Sequence, residues 1–175
     1  METLQTIELR KSTRSYKEEQ VSEDSLEKVL HAGCTAPIGG AQYDKLHITV
    51  IQNAALLEKM TSVTAKVFDK PNMKPFYGAP TVILVSAAKR ETPNVEYADA
   101  ACIVENMHLA ATDLGLGSVY LWGFLTAVTT DEELLKEFKL PEGFTPVSAL
   151  ALGYPTEPLT PKTNGKKTIA VNTIK

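Results

Sequence analysis

The run Thr81–Ala87, "TVILVSA", carries no charge and only two small hydroxyls. It is far shorter than the roughly 18 apolar residues of a membrane helix, and too continuous for a strand with one face in water. It predicts a central strand buried on both faces. A strand of that kind needs apolar cover on either side, and the rest of the chain has to provide it. At 175 residues, the length suffices for one domain with a real core, so a single domain over 1–175 is expected, ending in a basic tail over 156–175.

The flanking elements follow from local signals. Ser22 precedes two acids, and Leu26, Val29 and Leu30 share a face, which predicts a capped helix stopping near Gly33. Pro37, Gly39 and Gly40 mark Cys34–Asp44 as a loop. The alternating, β-branched Leu46–Ile51 reads as a strand, and a helix is expected from Asn53 towards Phe68. The Ala-rich stretch Val95–Leu114 predicts a long helix, apolar around most of its circumference and therefore buried in a core or against a partner. Gly117–Gly123 and Val147–Pro155 read as further strands, and Asp131–Phe138 as a short amphipathic helix.

Several function classes are disfavoured. A net charge of −3 gives no general attraction to nucleic acid or anionic membrane, so neither partner is expected. No basic and apolar leader opens the chain and no run is long enough to span a bilayer, so a cytoplasmic location is expected. Cys34 and Cys102 match no metal spacing and read as buried thiols. Cys102, Glu105 and His108 spread too far around one helix to share a metal ion. No glycine-rich turn opens a helix directly after a strand, which argues against Rossmann and P-loop sites. The helices and strands alternate without a clean βαβ series.

The one concentrated charge is "ELRKSTRSY", Glu8–Tyr16. If this segment is extended, Arg10, Ser12 and Arg14 project to one side and Lys11 to the other. Two guanidinium forks and a hydroxyl suit the terminal oxygens of a phosphate monoester. The same spacing also fits a solvated basic face.

Other segments join it in order. The pattern R-x-S-x-R-x-aromatic is followed by a helix and then "APIGG" before a strand. "YGAPTVILVSA" precedes the long Ala-rich helix, and "LGLGSVYLWGF" and "ALGYPTEP" with a basic tail come after it. This ordered set, from about Ile7 to Lys167, resembles the flavin-dependent nitroreductase family. The resemblance implies an α+β fold, with a central mixed, mainly antiparallel sheet flanked by helices, in a homodimer that holds FMN at its interface.

By the same resemblance, Arg10, Ser12 and Arg14 grip the FMN phosphate, and Lys166 or Lys162 adds a contact from the tail. Pro37, Ile38, Gly39 and Gly40 come from the other subunit to pack on the flavin ring. The family's usual P-S-x-x-N-x-Q-P-W form of that loop is absent here, which leaves Gln42 as a substitute amide. Tyr120, Leu121, Trp122 and Gly123 pass beside the reactive edge, with a backbone N–H of Trp122 or Gly123 facing the reactive nitrogen. Lys74 is either a partner for a flavin carbonyl or a surface lysine, and Trp122 by residue type alone fits a core equally well.

The implied activity is ping-pong oxidoreduction. NADH or NADPH is the reductant, and a nitroaromatic, quinone or similar small electron-poor molecule is the acceptor. Two further readings remain open for a flavin protein: storage or sensing with little turnover, and another reaction such as reductive dehalogenation. A phosphate-binding module unrelated to flavins is the third. The chain is short for the family, particularly between Phe68 and Pro80, which implies an open flavin face and loose selectivity.

Overall fold

The computed structural model describes residues 1–161 and 169–175. In chain order the elements are α1 (Thr3–Leu9), α2 (Glu23–Cys34), β1 (Leu46–Ile51), α3 (Ala54–Val67), β2 (Thr81–Ala88) and α4 (Val95–Asp113). They continue with β3 (Gly117–Leu121), α5 (Leu125–Val128), α6 (Glu132–Glu137) and β4 (Phe144–Gly153). The strands form one four-stranded sheet in the order β1-β2-β4-β3. All three ladders are antiparallel. The expected parallel component is reduced to a single bridge between Ser12 and Ser118.

Strand β2 is buried from Thr81 through Ala87, and its alternate residues serve two cores. Val82 and Leu84 face a layer that includes Met60 of α3, Val128 of α5 and Leu134 of α6. Ile83, Val85 and Ala87 face Val29 of α2 and Ile103, Val104 and Met107 of α4. Helices therefore cover both faces of an antiparallel sheet, which is how its central strand comes to read as a continuous apolar run. Side-chain caps set three helix starts. Ser22 accepts from Ser25 N–H at 3.3 Å, Asn53 from Leu56 at 2.9 Å and Asp131 from Leu134 at 2.9 Å.

Several boundaries differ from the sequence reading. Strand β4 begins at Phe144, ahead of Val147, because a register shift at Val85/Ser86 lets Pro146 sit in the strand opposite Ser86. Strand β3 ends at Leu121, leaving Trp122 and Gly123 beyond it. Helix α4 is covered mainly by its own chain, since α2, three strands and α1 pack on it. Its apolar circumference thus gives no independent argument for a partner subunit. Both cysteines are exposed, contrary to the expected buried thiols. Gly33, not Cys34, is turned towards Met107 of α4, and Cys102 lies on the outer side of α4 beside the buried Ile103. No helix among the described residues is long and apolar enough to cross a membrane.

The segment after α1 lies along the free edge of β3. Thr13 N–H donates to Ser118 C=O at 2.9 Å, and the close approach depends on Gly117. A Cβ on Gly117 would lie 2.7 Å from Thr13 Cγ2 and 3.0 Å from Thr13 Cβ. Replacing Gly117 with Ala is expected to destabilise the protein by about 1–3 kcal/mol through overpacking. Thr13→Gly in the same chain should return part of that loss. Urea denaturation of the two variants checks both expectations.

Candidate functional site

Backbone pairing fixes which way the N-terminal segment presents its side chains. Beyond the Ser12–Ser118 bridge, Tyr16 pairs with Pro155, Lys17 N–H donates to Tyr154 C=O at 2.9 Å and Thr156 N–H to Ser15 C=O at 3.3 Å. Residues 12–17 are therefore stitched to the start of β3 and to the chain leaving β4. Thr13 points inward and is buried, whereas Ser12 and Arg14 are exposed on the outer side. The Tyr16 hydroxyl donates to Thr13 C=O at 2.9 Å. Burial raises the Tyr16 phenol well above its ordinary range.

A hollow of ≈ 380 Å³ opens over this strap, lined by Lys11, Ser12, Arg14 and the chain at Pro155–Glu157. Two of the three residues expected to grip an anion, Ser12 and Arg14, thus come together. Arg10 does not join them. It is the C-cap residue of α1, so the two-residue alternation of extended chain begins only after it. Its side chain runs to α4, with Nε 3.8 Å from Glu105 and Nη1 donating to His108 Nε2 at 3.3 Å. Arginine can only donate, so His108 accepts at Nε2, carries its proton on Nδ1 and donates to Ser118 Oγ at 2.7 Å. Lys11, expected on the far side, lines the hollow instead. Its ammonium reaches Pro158 C=O and Thr160 Oγ1, each at 3.4 Å.

A second cavity of ≈ 500 Å³ brings Lys74 and Tyr77 to the end of β3, against Tyr120, Leu121, Trp122 and Gly123. Two distant stretches singled out in the sequence therefore share one wall. Trp122 is 51% exposed, which removes its reading as a core aromatic. The space where a Gly123 side chain would stand is open. Arg14 of the first hollow lies against Tyr77 of the second cavity, its guanidinium carbon 5.8 Å from the centroid of the Tyr77 ring.

The family model described as "Nitroreductase family" matches residues 7–154. The chain belongs to the nitroreductase family. Among its relatives is a Methanothermobacter thermautotrophicus protein named "Putative NADH dehydrogenase/NAD(P)H nitroreductase", 30% identical over 159 residues, covering 90% of this chain and 79% of that protein. Among solved structures, the Bacteroides fragilis nitroreductase with bound FMN superposes with a TM-score of 0.84 at 30% identity, over 100% of both chains. A nitroreductase with bound FMN from Desulfitobacterium hafniense has a TM-score of 0.85 over 99% of each chain. At 24% identity it supports the fold alone.

The remaining site residues lie elsewhere in this nitroreductase-family chain. Pro37, Ile38, Gly39, Gly40 and Gln42 line neither cavity. They form a turn against the start of α4, where Gly39 N–H donates to Asp99 Oδ1 at 2.8 Å. Lys162 and Lys166 lie outside the described residues. Cys102 and Glu105 face outward from α4 while His108 is buried, so the three do not converge.

Three residues at or beside these cavities were not among the sequence's site candidates. Lys11 was expected on the far side by alternation, but the pairing of this segment with β3 begins only at Ser12, so the alternation does not extend back to Lys11. Tyr77 sits in a turn with φ of +57°, for which the following Gly78 was the only signal. Tyr97, in the first turn of α4, meets the Trp122 ring with centroids 5.6 Å apart and a 54° tilt, a pairing that local sequence does not announce.

Tyr16 ties the inside of the strap. Because burial raises its phenol, the stability it contributes is complete at neutral pH and is lost as pH climbs beyond about 10, where the unfolded phenol ionises. Tyr16→Phe should cost about 0.5–1.5 kcal/mol at pH 7 through the lost hydrogen bond. It should also flatten the alkaline fall in stability. Denaturant titrations at pH 7 and above pH 10 measure both effects.

Proposed function

We propose that this chain is an FMN-dependent oxidoreductase working as a homodimer. It would take reducing equivalents from NADH or NADPH and deliver them to nitroaromatics, quinones or similar electron-poor acceptors. The observation that supports this reading is a pair of cavities whose walls meet in the Arg14–Tyr77 contact, one bearing Lys11, Ser12 and Arg14 beside Glu157, the other aromatic with one lysine, Lys74. That donor set fits a flat ring system bearing a phosphate tail.

Ser12 and Arg14, with Lys11 beside them, would hold the phosphate dianion through charge-assisted hydrogen bonds. Lys74 would set a positive charge beside a ring carbonyl and so favour negative charge on that side of the ring. Tyr77 and Trp122 offer apolar surface, and the open space at Gly123 lets backbone N–H groups approach. FMN, when bound, supplies the two-electron hydride chemistry, and no acid–base side chain is required of the protein for it. An open cavity of this size admits reductant and acceptor in turn, in keeping with ping-pong order and loose selectivity.

The dimer is supported by apolar surface that the chain leaves uncovered. Leu4 is 74% exposed and Ile7 46% exposed on α1, while Ile169, Val171 and Ile174 of the C-terminal segment are likewise exposed.

The purified protein is expected to take up FMN, turn yellow and oxidise NADH or NADPH when a nitroaromatic is supplied. Uptake without turnover would favour storage or sensing instead. FMN should bind far more tightly than riboflavin, and Arg14→Ala should weaken FMN binding by about 1.5–3 kcal/mol with little effect on riboflavin. Fluorescence-quenching titrations measure these affinities; equal binding of the two flavins would refute a phosphate site at the strap. Sedimentation of the FMN-loaded protein should show a dimer, and a stable monomer holding stoichiometric FMN would contradict the assembly.

A further inference from the structure

Arg90 and Asp99 form an ion pair whose side chains are only 9% and 6% exposed, and neither residue lines the cavities described above. Buried ion pairs add little net stability compared with apolar packing, because both charges lose their water. The placement of this pair shows what it holds. Arg90 Nη1 donates to Asp99 Oδ2, while Arg90 Nη2 donates to Gly39 C=O at 2.6 Å. Gly39 N–H donates back to Asp99 Oδ1 at 2.8 Å. Both polar groups of one loop residue are thus enclosed by a single charge pair.

The residue enclosed has little room to move. A Cβ at Gly39 would stand 3.0 Å from Val95 Cγ2 and 3.4 Å from Asp99 Oδ1. The chain then passes through two successive left-handed residues, Gly40 at φ +62° and Ala41 at φ +52°, and closes with Ala41 N–H donating to Ile38 C=O at 3.0 Å. Left-handed backbone costs about 1–2 kcal/mol at a non-glycine residue, so the turn needs outside support to persist. Its tip remains accessible, with Pro37, Gly40, Ala41 and Gln42 all exposed.

We propose that Arg90 and Asp99 are positioning residues that clamp the Gly39 peptide, so that the Pro37–Gln42 turn presents its backbone and the Gln42 amide to a flavin ring. The inference rests on the FMN reading above. Because the turn lines neither cavity of its own chain, the ring it serves in the dimer belongs to the second copy. The clamp takes the place of the longer polar motif that this loop lacks. Rigidity comes from a charge pair behind the turn, not from the side chains of the turn itself.

Asp99→Asn and the milder Arg90→Lys, which keeps the charge but loses the two-pronged donor, test this in the full-length protein. In the absence of flavin, the Gly39 amide should exchange its hydrogen about tenfold faster in Asp99→Asn, matching the loss of one charged hydrogen bond. With flavin bound, the visible circular dichroism of the ring should change. FMN and riboflavin affinities should fall by the same factor, leaving their ratio intact, whereas Arg14→Ala compresses that ratio. Unchanged Gly39 exchange overturns the clamp. Faster exchange with unaltered flavin dichroism and affinities overturns its role at the ring. If Asp99→Asn does not fold, Arg90→Lys carries the same readouts. A wild-type protein that takes up no FMN overturns the functional reading instead, and Gly39 exchange still decides whether the clamp exists.

Discussion

The hydrogen bond from Thr13 N–H to Ser118 C=O, on the outer edge of β3, is the contact on which the site depends. An exposed strand edge offers unpaired backbone groups, and here the chain covers its own edge with a short strap. Only a glycine at 117 lets Thr13 lie that close. Once Thr13 is turned inward, Ser12 and Arg14 are turned outward, and their side of the strap becomes a wall of the hollow proposed to take the phosphate. Ser118 extends this control through its side chain, since its hydroxyl receives His108, which in turn receives Arg10. One residue of β3 therefore registers the strap's backbone and holds the first arginine of the motif against α4.

On the FMN reading proposed above, this placement would reconcile an acidic chain with an anionic ligand. The net charge of −3 gives no long-range attraction for phosphate, so affinity has to come from a few cations fixed at short range. The strap supplies them at one end and Lys74 at the other, with the Arg14–Tyr77 contact between. The two ends use different physics. Charge-assisted hydrogen bonds to phosphate are directional, while the aromatic end would, on the proposed function, accommodate a flat ring by apolar contact beside Trp122. On the proposed function, tight cofactor retention and permissive acceptor choice would coexist in one site for that reason.

Much of the fold was legible because its signals are local. Ser22, Asn53 and Asp131 announce helix starts in their own side chains, and β2 shows its two-sided burial in an unbroken apolar run. The misses are equally physical. Helix α1 is seven residues long and α5 four, too short for a period to emerge. Pro146 hid the start of β4 because the bulge that accommodates it is formed with β2, a partner distant in sequence. The exposure of Cys34 and Cys102 depends on which side of α2 and α4 faces the core, and Gly33 and Ile103 take those places. At the candidate site, the ordered motifs named segments that line the two cavities, but side-chain direction was not legible. Arg10 turns to α4 and Lys11 to the hollow because α1 ends only at Leu9 and the paired strap begins only at Ser12. The Arg90–Asp99 clamp joins two segments whose meeting only the folded chain reveals.

The most direct test of a phosphate grip at the strap is the ³¹P resonance of protein-bound FMN followed through an acid titration. Free phosphate monoesters gain their second proton near about pH 6. Cations held at Arg14 and Lys11 favour the dianion, so the bound signal should stay at its dianionic position well below that pH. A bound phosphate that titrates like free FMN would contradict the account, because it would place the phosphate in solvent and leave the strap without its ligand.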